Sequence, residues 1–89
     1  MSTTMWNIQL DIGSDGRVTR CEARLTGKDS SVLVGQGTAR ANPADENVPY
    51  IGDELSAARA LSDLTHQLLH SAAMDIEAHT HKPVDHLRG

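Results

Sequence analysis

Residues 32–40 read Val32-Leu33-Val34-Gly35-Gln36-Gly37-Thr38-Ala39-Arg40. Leu33, Gly35, Gly37 and Ala39 alternate with Val34, Gln36, Thr38 and Arg40, the two-residue period of a strand with one face turned inward. Glycines weaken a strand unless another backbone must come close. Two of them on the inner face clear space for a helix laid directly on the sheet.

The segments before this strand supply its neighbours. From Met5 to Ile12, Trp6, Ile8, Leu10 and Ile12 share one face and Asn7, Gln9 and Asp11 the other, the pattern of a half-buried strand. Gly13-Ser14-Asp15-Gly16 has the composition of a turn. Arg17 to Thr26 alternates again, with Cys21, Ala23 and Leu25 opposite Arg20, Glu22 and Arg24. Val18 is out of phase, which fits a bulge or the strand's entry. Gly27-Lys28-Asp29-Ser30 is a second turn, and short connections between successive strands imply an antiparallel meander.

After the third strand comes a stretch of breakers, Ala41-Asn42-Pro43-Ala44-Asp45-Glu46-Asn47-Val48-Pro49, and then a helical period from Tyr50 to Ala78. At 100° per residue, Ile51, Leu55, Ala58, Leu61, Leu68, Leu69, Ala72, Ala73 and Ile76 fall on one broad side, widened by Ala57 and Leu64. Asp53 and Glu54 are expected in the first turn, where the helix dipole favours negative charge. Pro83 prevents continuation. The chain thus reads as α+β: a three-stranded antiparallel β-meander packed on one long C-terminal helix, in the order β-β-β-α. It forms a single domain over 1–89, with a core over 5–78 and a flexible tail over 79–89. At 1.5 Å per residue the helix is about 40 Å long, longer than the sheet is wide, so its C-terminal half projects past the sheet or finds a partner.

Composition narrows the function classes. Eighty-nine residues make one domain with a thin core. The only aromatics are Trp6 and Tyr50, so Leu, Ile, Val and Ala must build that core. The net charge of −4, with the two lysines Lys28 and Lys82 far apart, argues against nucleic acid and anionic membrane as partners. Cys21 is alone, which excludes an internal disulfide and points to a reducing compartment. Met1 to Met5 lacks the basic and apolar regions of a secretory signal, and no apolar run reaches membrane-spanning length. The expected location is cytoplasmic.

Four stretches together carry a family resemblance: Gly35-Gln36-Gly37-Thr38-Ala39-Arg40, Asn42-Pro43-Ala44-Asp45, Val48-Pro49-Tyr50-Ile51-Gly52-Asp53-Glu54-Leu55, and Arg59-Ala60-Leu61-Ser62-Asp63-Leu64. With the N-terminal Trp strand they resemble the actinobacterial family called domain of unknown function 1876, over most of the chain up to Ile76. The resemblance implies a truncated double-stranded-RNA-binding fold, with three strands and the second helix but no first helix. That family carries no established activity, so the resemblance brings no catalytic residue and no cofactor.

Duplex RNA recognition by such a fold needs lysines at the start of the long helix, where this chain has Gly52-Asp53-Glu54. His66 and His70, spaced i and i+4, are weak candidates for a shared metal ion. A third ligand would have to come from Glu77, His79, His81 or another chain, and a solvated polar face is the plainer reading. Cys21 shares a face with Ala23 and Leu25 and reads as inert core. Arg40, Asp45, Asp53, Glu54 and Arg59 are expected to form one structural polar network tying the loop to the helix. No enzyme motif survives, so a non-enzyme is expected: an interaction module that self-associates or binds a protein partner. The alternative is a binder of a small ligand or metal through the 42–53 loop or the His66/His70 pair.

Overall fold

The computed structural model describes residues 2–29 and 31–81. Three strands, β1 (Asn7–Asp15), β2 (Val18–Thr26) and β3 (Leu33–Arg40), are followed by one helix, α1 (Pro49–Thr80). The strands pair antiparallel in the order β1-β2-β3. The expected meander and its single covering helix are therefore the fold.

The first turn is shifted from its expected place. β1 runs through Gly13 and Ser14 to Asp15, which pairs with Val18, leaving Gly16 and Arg17 as a two-residue loop. Gly16 takes φ +62°, the left-handed value that a tight hairpin demands at its first central position. The ladder from Asp15↔Val18 to Asn7↔Thr26 is uninterrupted, so Val18 marks no bulge. It opens β2 half-buried on the outer face, opposite Arg40.

Pairing lines up the inner face in rows. Ile12 stands beside Cys21 and then Gly37; Leu10 beside Ala23 and then Gly35; Ile8 beside Leu25 and then Leu33. In the first two rows the side chains shrink from β1 to β3, so the face is a ramp that is lowest at the glycines. α1 lies in that low ground. A Cβ on Gly37 would run into the backbone at Ser56 and Ala60, and one on Gly35 into Ala60 and Leu64. Ser56, Ala60 and Leu64, one helical turn apart, are consequently buried against the strand.

The core follows from this placement. Among the described residues its apolar members are Cys21, Ala23, Leu25, Ala39, Ala60 and Leu64, with Leu33, Ala57 and Leu68 packed at its margin. The expectation that one helix covers the whole inner face needs correcting. α1 lies over β2 and β3 and only flanks β1: every residue of β1 is exposed, and its inward Ile8, Leu10 and Ile12 are partly covered.

The helix is one unbroken rod, as its period implied, but it begins and ends slightly beyond the expected limits. Pro49 occupies its first turn and Val48 precedes it without a side-chain cap. That first turn holds no acid, so Asp53 and Glu54 fall one turn later than expected. At the other end His81 takes the left-handed conformation and donates its N–H to the Glu77 carbonyl at 2.7 Å. His79 and Thr80, expected in the tail, belong to the helix. The rest of the expected tail, 82–89, lies outside the described residues.

Candidate functional site

The two outer edges of the sheet are built differently. In an antiparallel ladder, alternate residues direct both backbone groups toward the same neighbour. Asp15 and Val18 flank the two-residue loop and bond each other, so odd-numbered residues of β1 face β2. Even-numbered residues, Ile8, Leu10 and Ile12 among them, turn their N–H and C=O outward. Carried across β2, the same alternation turns Val34, Gln36 and Thr38 of β3 outward on the far side.

On that far side all three residues are engaged by α1. Arg59 Nη1 donates to the Thr38 carbonyl at 2.7 Å, the Gln36 N–H donates to Asp63 Oδ2 at 2.8 Å, and Gln67 Nε2 donates to the Val34 carbonyl at 2.7 Å. Gln67 also donates to Asp63 Oδ2 at 3.3 Å. Two residues of strand advance about 6.7 Å and four of helix about 6 Å, so side chains at i, i+4 and i+8 keep step with alternate strand residues. This polar ladder was missed from sequence. Its signal was present: Arg59, Asp63 and Gln67 are three polar side chains at helical spacing, beside the stripe that begins with Ala60 and Leu64.

At the β1 edge there is no such cover among the described residues. Ile8, Leu10 and Ile12 remain 49%, 38% and 42% exposed on the same face where Cys21, Ala23 and Leu25 are buried. Stepping about 100° around the helix from the Ala60 contact line, away from β3, brings up Leu61, Leu68 and Ala72. Leu61 is exposed. Thr65, Leu68, Leu69, Ala72 and Asp75 line an open hollow with Trp6, at the entrance to β1, and with Lys28 and Asp29 of the second turn. Ile8, Leu10 and Ile12 do not line that hollow; by strand register and helical phase they run alongside this flank of α1. Strand and flank thus form the floor and wall of one shallow trough, apolar along Ile8–Ile12 and bordered by Lys28, Asp29 and Asp75 at its Trp6 end.

The residues singled out from sequence are placed elsewhere. The five of the expected polar network do not converge in one ion-paired cluster. Arg59 is spent on the Thr38 carbonyl. The loop is instead held by a residue outside that set: Arg17 Nη1 donates to the carbonyls of Asn42 at 3.1 Å and Asp45 at 2.9 Å. Arg40 and Asp45 do line a common hollow of about 340 Å³, together with Arg17, Thr19, Asn47 and Gly52. Asp53 contributes its carbonyl to the hydroxyl of buried Ser56, and Glu54 is exposed.

His66 and His70 are both exposed and border a shallow apolar hollow with Leu33 and Met74. Among the described residues no group of three metal-binding side chains gathers there or elsewhere. Cys21 is buried, and burial, with a lesser push from the Asp11 carboxylate, raises its thiol pKa. It sits in the core, as its strand phase implied. Among the described residues no helix is long and apolar enough to cross a membrane.

Comparison with known proteins places this architecture. The chain is 53% identical over 78 residues to uncharacterized protein Mb1767 of Mycobacterium bovis, covering 88% of this chain and 82% of that one. It is 56% identical over 66 residues to uncharacterized protein Rv2632c of Mycobacterium tuberculosis, covering 74% and 70%. The crystal structure of Rv2632c superposes with a TM-score of 0.84 at 46% identity, over 93% of this chain and 98% of that one. A family model described as Rv2632c-like matches residues 4–85. The chain belongs to the Rv2632c-like family.

Proposed function

We propose that this protein is a non-catalytic interaction module whose working surface is the trough between β1 and the adjoining flank of α1. One observation carries the reading. Ile8, Leu10 and Ile12 share an inner face with fully buried neighbours on β2, yet are left between 38% and 49% exposed. Apolar side chains grouped along a strand and a facing helix mark a contact surface. Polar side chains elsewhere already serve the fold: Arg17 holds the 42–45 loop, and Arg59, Asp63 and Gln67 hold the edge of β3. Few convergent polar groups are left to form a reaction centre.

The alternative reading, a small-ligand or metal binder, draws less support. In the hollow beside the 42–53 loop, Arg17 is committed to loop carbonyls. The His66/His70 pair would need a third ligand from another molecule. Duplex RNA draws no support as a partner: a net charge of −4 and a first helical turn of Pro49-Tyr50-Ile51-Gly52 offer phosphate little attraction. A cytoplasmic setting suits the free, buried Cys21.

The test is size chromatography of extracts from cells making the tagged protein. The parent chain is expected to elute above its monomer mass, and Leu10→Glu to move to the monomer position while keeping its helical circular dichroism. Elution of the parent as a monomer would sink the proposal.

A further inference from the structure

We infer that the trough is filled by α1 of a second copy of this chain, so that each helix is the wall of its own trough and the filling of its partner's. The inference rests on the interaction-module reading above, and names the occupant. Three arguments lead to it.

The first is the shape of the vacancy. Pairing β1 with a second β1 would use the open edge but leave the floor wet. Strands lie about 4.8 Å apart, and α1 sits over the β2–β3 seam, so two such copies hold their helix axes about 19 Å apart. Helices in contact lie at 8–10 Å. A further helix over β1 closes that gap; a strand does not. The floor from Ile8 to Ile12 is about 14 Å long and the wall from Leu61 to Ala72 about 17 Å, so the occupant needs an apolar helical stripe of that length.

The second is that α1 carries such a stripe itself. Leu61, Leu68, Leu69, Ala72 and Ile76 lie on one side of the rod, rotated away from the Ser56, Ala60 and Leu64 line that its own sheet buries. Placed over a second copy's β1, this stripe meets that copy's floor and wall. Two-fold symmetry makes the contact reciprocal, since a surface that binds itself must hold both halves of the interaction.

The third is the amount of surface that needs cover. Among the described residues the buried apolar side chains include only two leucines, Leu25 and Leu64, a small core for one domain of this length. Trp6, Ile8, Leu10, Ile12, Leu61 and Ile76 are each at least about a third exposed. At roughly 200 Å² for an open side chain of this size, together they offer about 500 Å² per copy, or about 1,000 Å² per pair, which reaches the lower bound for a specific interface. A partner that completes the core must be present whenever the chain folds, and a second copy always is.

The experiment uses the purified full chain. Sedimentation across a wide concentration range is expected to show a dimer, and Leu10→Glu on the floor and Leu61→Glu on the wall each to weaken it at least about a hundredfold. Because a charged variant can also fail to fold, a diazirine amino acid placed at Leu10 alone supplies a second measurement. In a mixture of isotope-labelled and unlabelled chains, its cross-links should fall on residues 57–76 of the other copy. A dimer cross-linked instead at β1 or on the outer sheet face would overturn the helix-in-trough arrangement and leave the module reading standing. A purified chain that stays monomeric, from extracts where it elutes in a larger species, would overturn the second copy as occupant. A monomer in the extracts removes the module reading as well.

Discussion

At β3 the outward backbone groups of Thr38, Gln36 and Val34 are taken in turn by Arg59, Asp63 and Gln67 of the same chain. At β1 the outward groups of Ile8, Leu10 and Ile12 meet no strand among the described residues, and the side chains above them meet the edge of a helix. One sheet thus has a closed side, made from small residues and polar bonds, and an open side, made from large apolar residues. An unpaired strand edge is a template for association, and proteins commonly blunt it. Here the blunting is spent on one edge, which directs association to the other. The helix could not serve both: by sinking onto Gly35 and Gly37 it moves away from β1.

The largest effect that separates the two sides is expected from adding the same side chain to a glycine on each. Gly37→Val drives Cβ into the backbone at Ser56 and Ala60. Backbone cannot step aside as a flexible side chain does, so the cost is expected at about 3 kcal/mol or more, read as a collapse of the thermal transition. Gly13→Val on β1 meets nothing within 4 Å. It should change stability by less than about 0.5 kcal/mol, with valine's strand preference in its favour. Equal losses in the two variants would mean that the helix does not rest where the ramp is lowest.

Next comes a pair of leucines in adjacent rows. Leu25 on β2 is 1% exposed and Leu10 on β1 is 38% exposed. Leu25→Ala is expected to cost about 2–4 kcal/mol in denaturant unfolding, through lost burial and a cavity. Leu10→Ala, measured at dilution where copies are apart, should cost less, about 1–1.5 kcal/mol, because the side chain is only partly covered. At concentrations that favour association the gap should narrow, because Leu10 then has something to lose.

Much of this division is legible in the amino-acid sequence, and the limits of that reading have physical causes. Alternation in Met5–Ile12, Arg17–Thr26 and Val32–Arg40 gave the strands and their inner face, because a one-residue slip would turn every apolar side chain outward. Gly35 and Gly37 announced a close helix. The pattern was silent about which strands the helix would cover. Periodicity assigns a residue to a face and says nothing about lateral position on it; the rows Ile12-Cys21-Gly37 and Leu10-Ala23-Gly35 hold that information only once register is known. The turn was misplaced because Gly13, Ser14, Asp15 and Gly16 are all good turn formers, and only the ladder shows that Gly16 and Arg17 make the reversal. The expected network of Arg40, Asp45, Asp53, Glu54 and Arg59 was charge matched by proximity in sequence. Arg17, which lies far from the loop in the chain, reaches it because the hairpin end comes up beside Asn42 and Asp45.

A smaller effect is expected from the polar ladder. Asp63→Ala leaves the Gln36 N–H without its acceptor and deprives Gln67 of one of its two partners. At a position open to water the loss should be about 1 kcal/mol, accompanied by faster exchange of the Gln36 amide. Asp11→Ala, on the outer face of β1, should alter neither. If Asp63→Ala also made the protein form larger species than the parent, the ladder's part in keeping the β3 edge to itself would be demonstrated directly.

The smallest expected effect comes from Cys21, which stands between the two sides, with Ile12 beside it on β1 and Gly37 on β3. Burial, helped by the Asp11 carboxylate, raises its pKa. In an open chain a thiol ionises from about pH 8.5, while the folded thiol keeps its proton to higher pH. Above that point the unfolded state binds fewer protons than the folded one, so folding stability falls as pH rises, and it stops falling once the folded thiol also ionises. Below that point the thiol contributes no pH dependence. Thermal unfolding should therefore show a decline in stability above about pH 8.5 that Cys21→Ala removes. The same thiol reports which side of the sheet opens first. If local opening begins at the bare strand, alkylation of Cys21 should quicken in Leu10→Ala, which loosens β1, and keep its parental rate in Asp63→Ala, which loosens β3. Acceleration in Asp63→Ala alone would show that the polar ladder, and not the apolar trough, is the weaker side of the sheet.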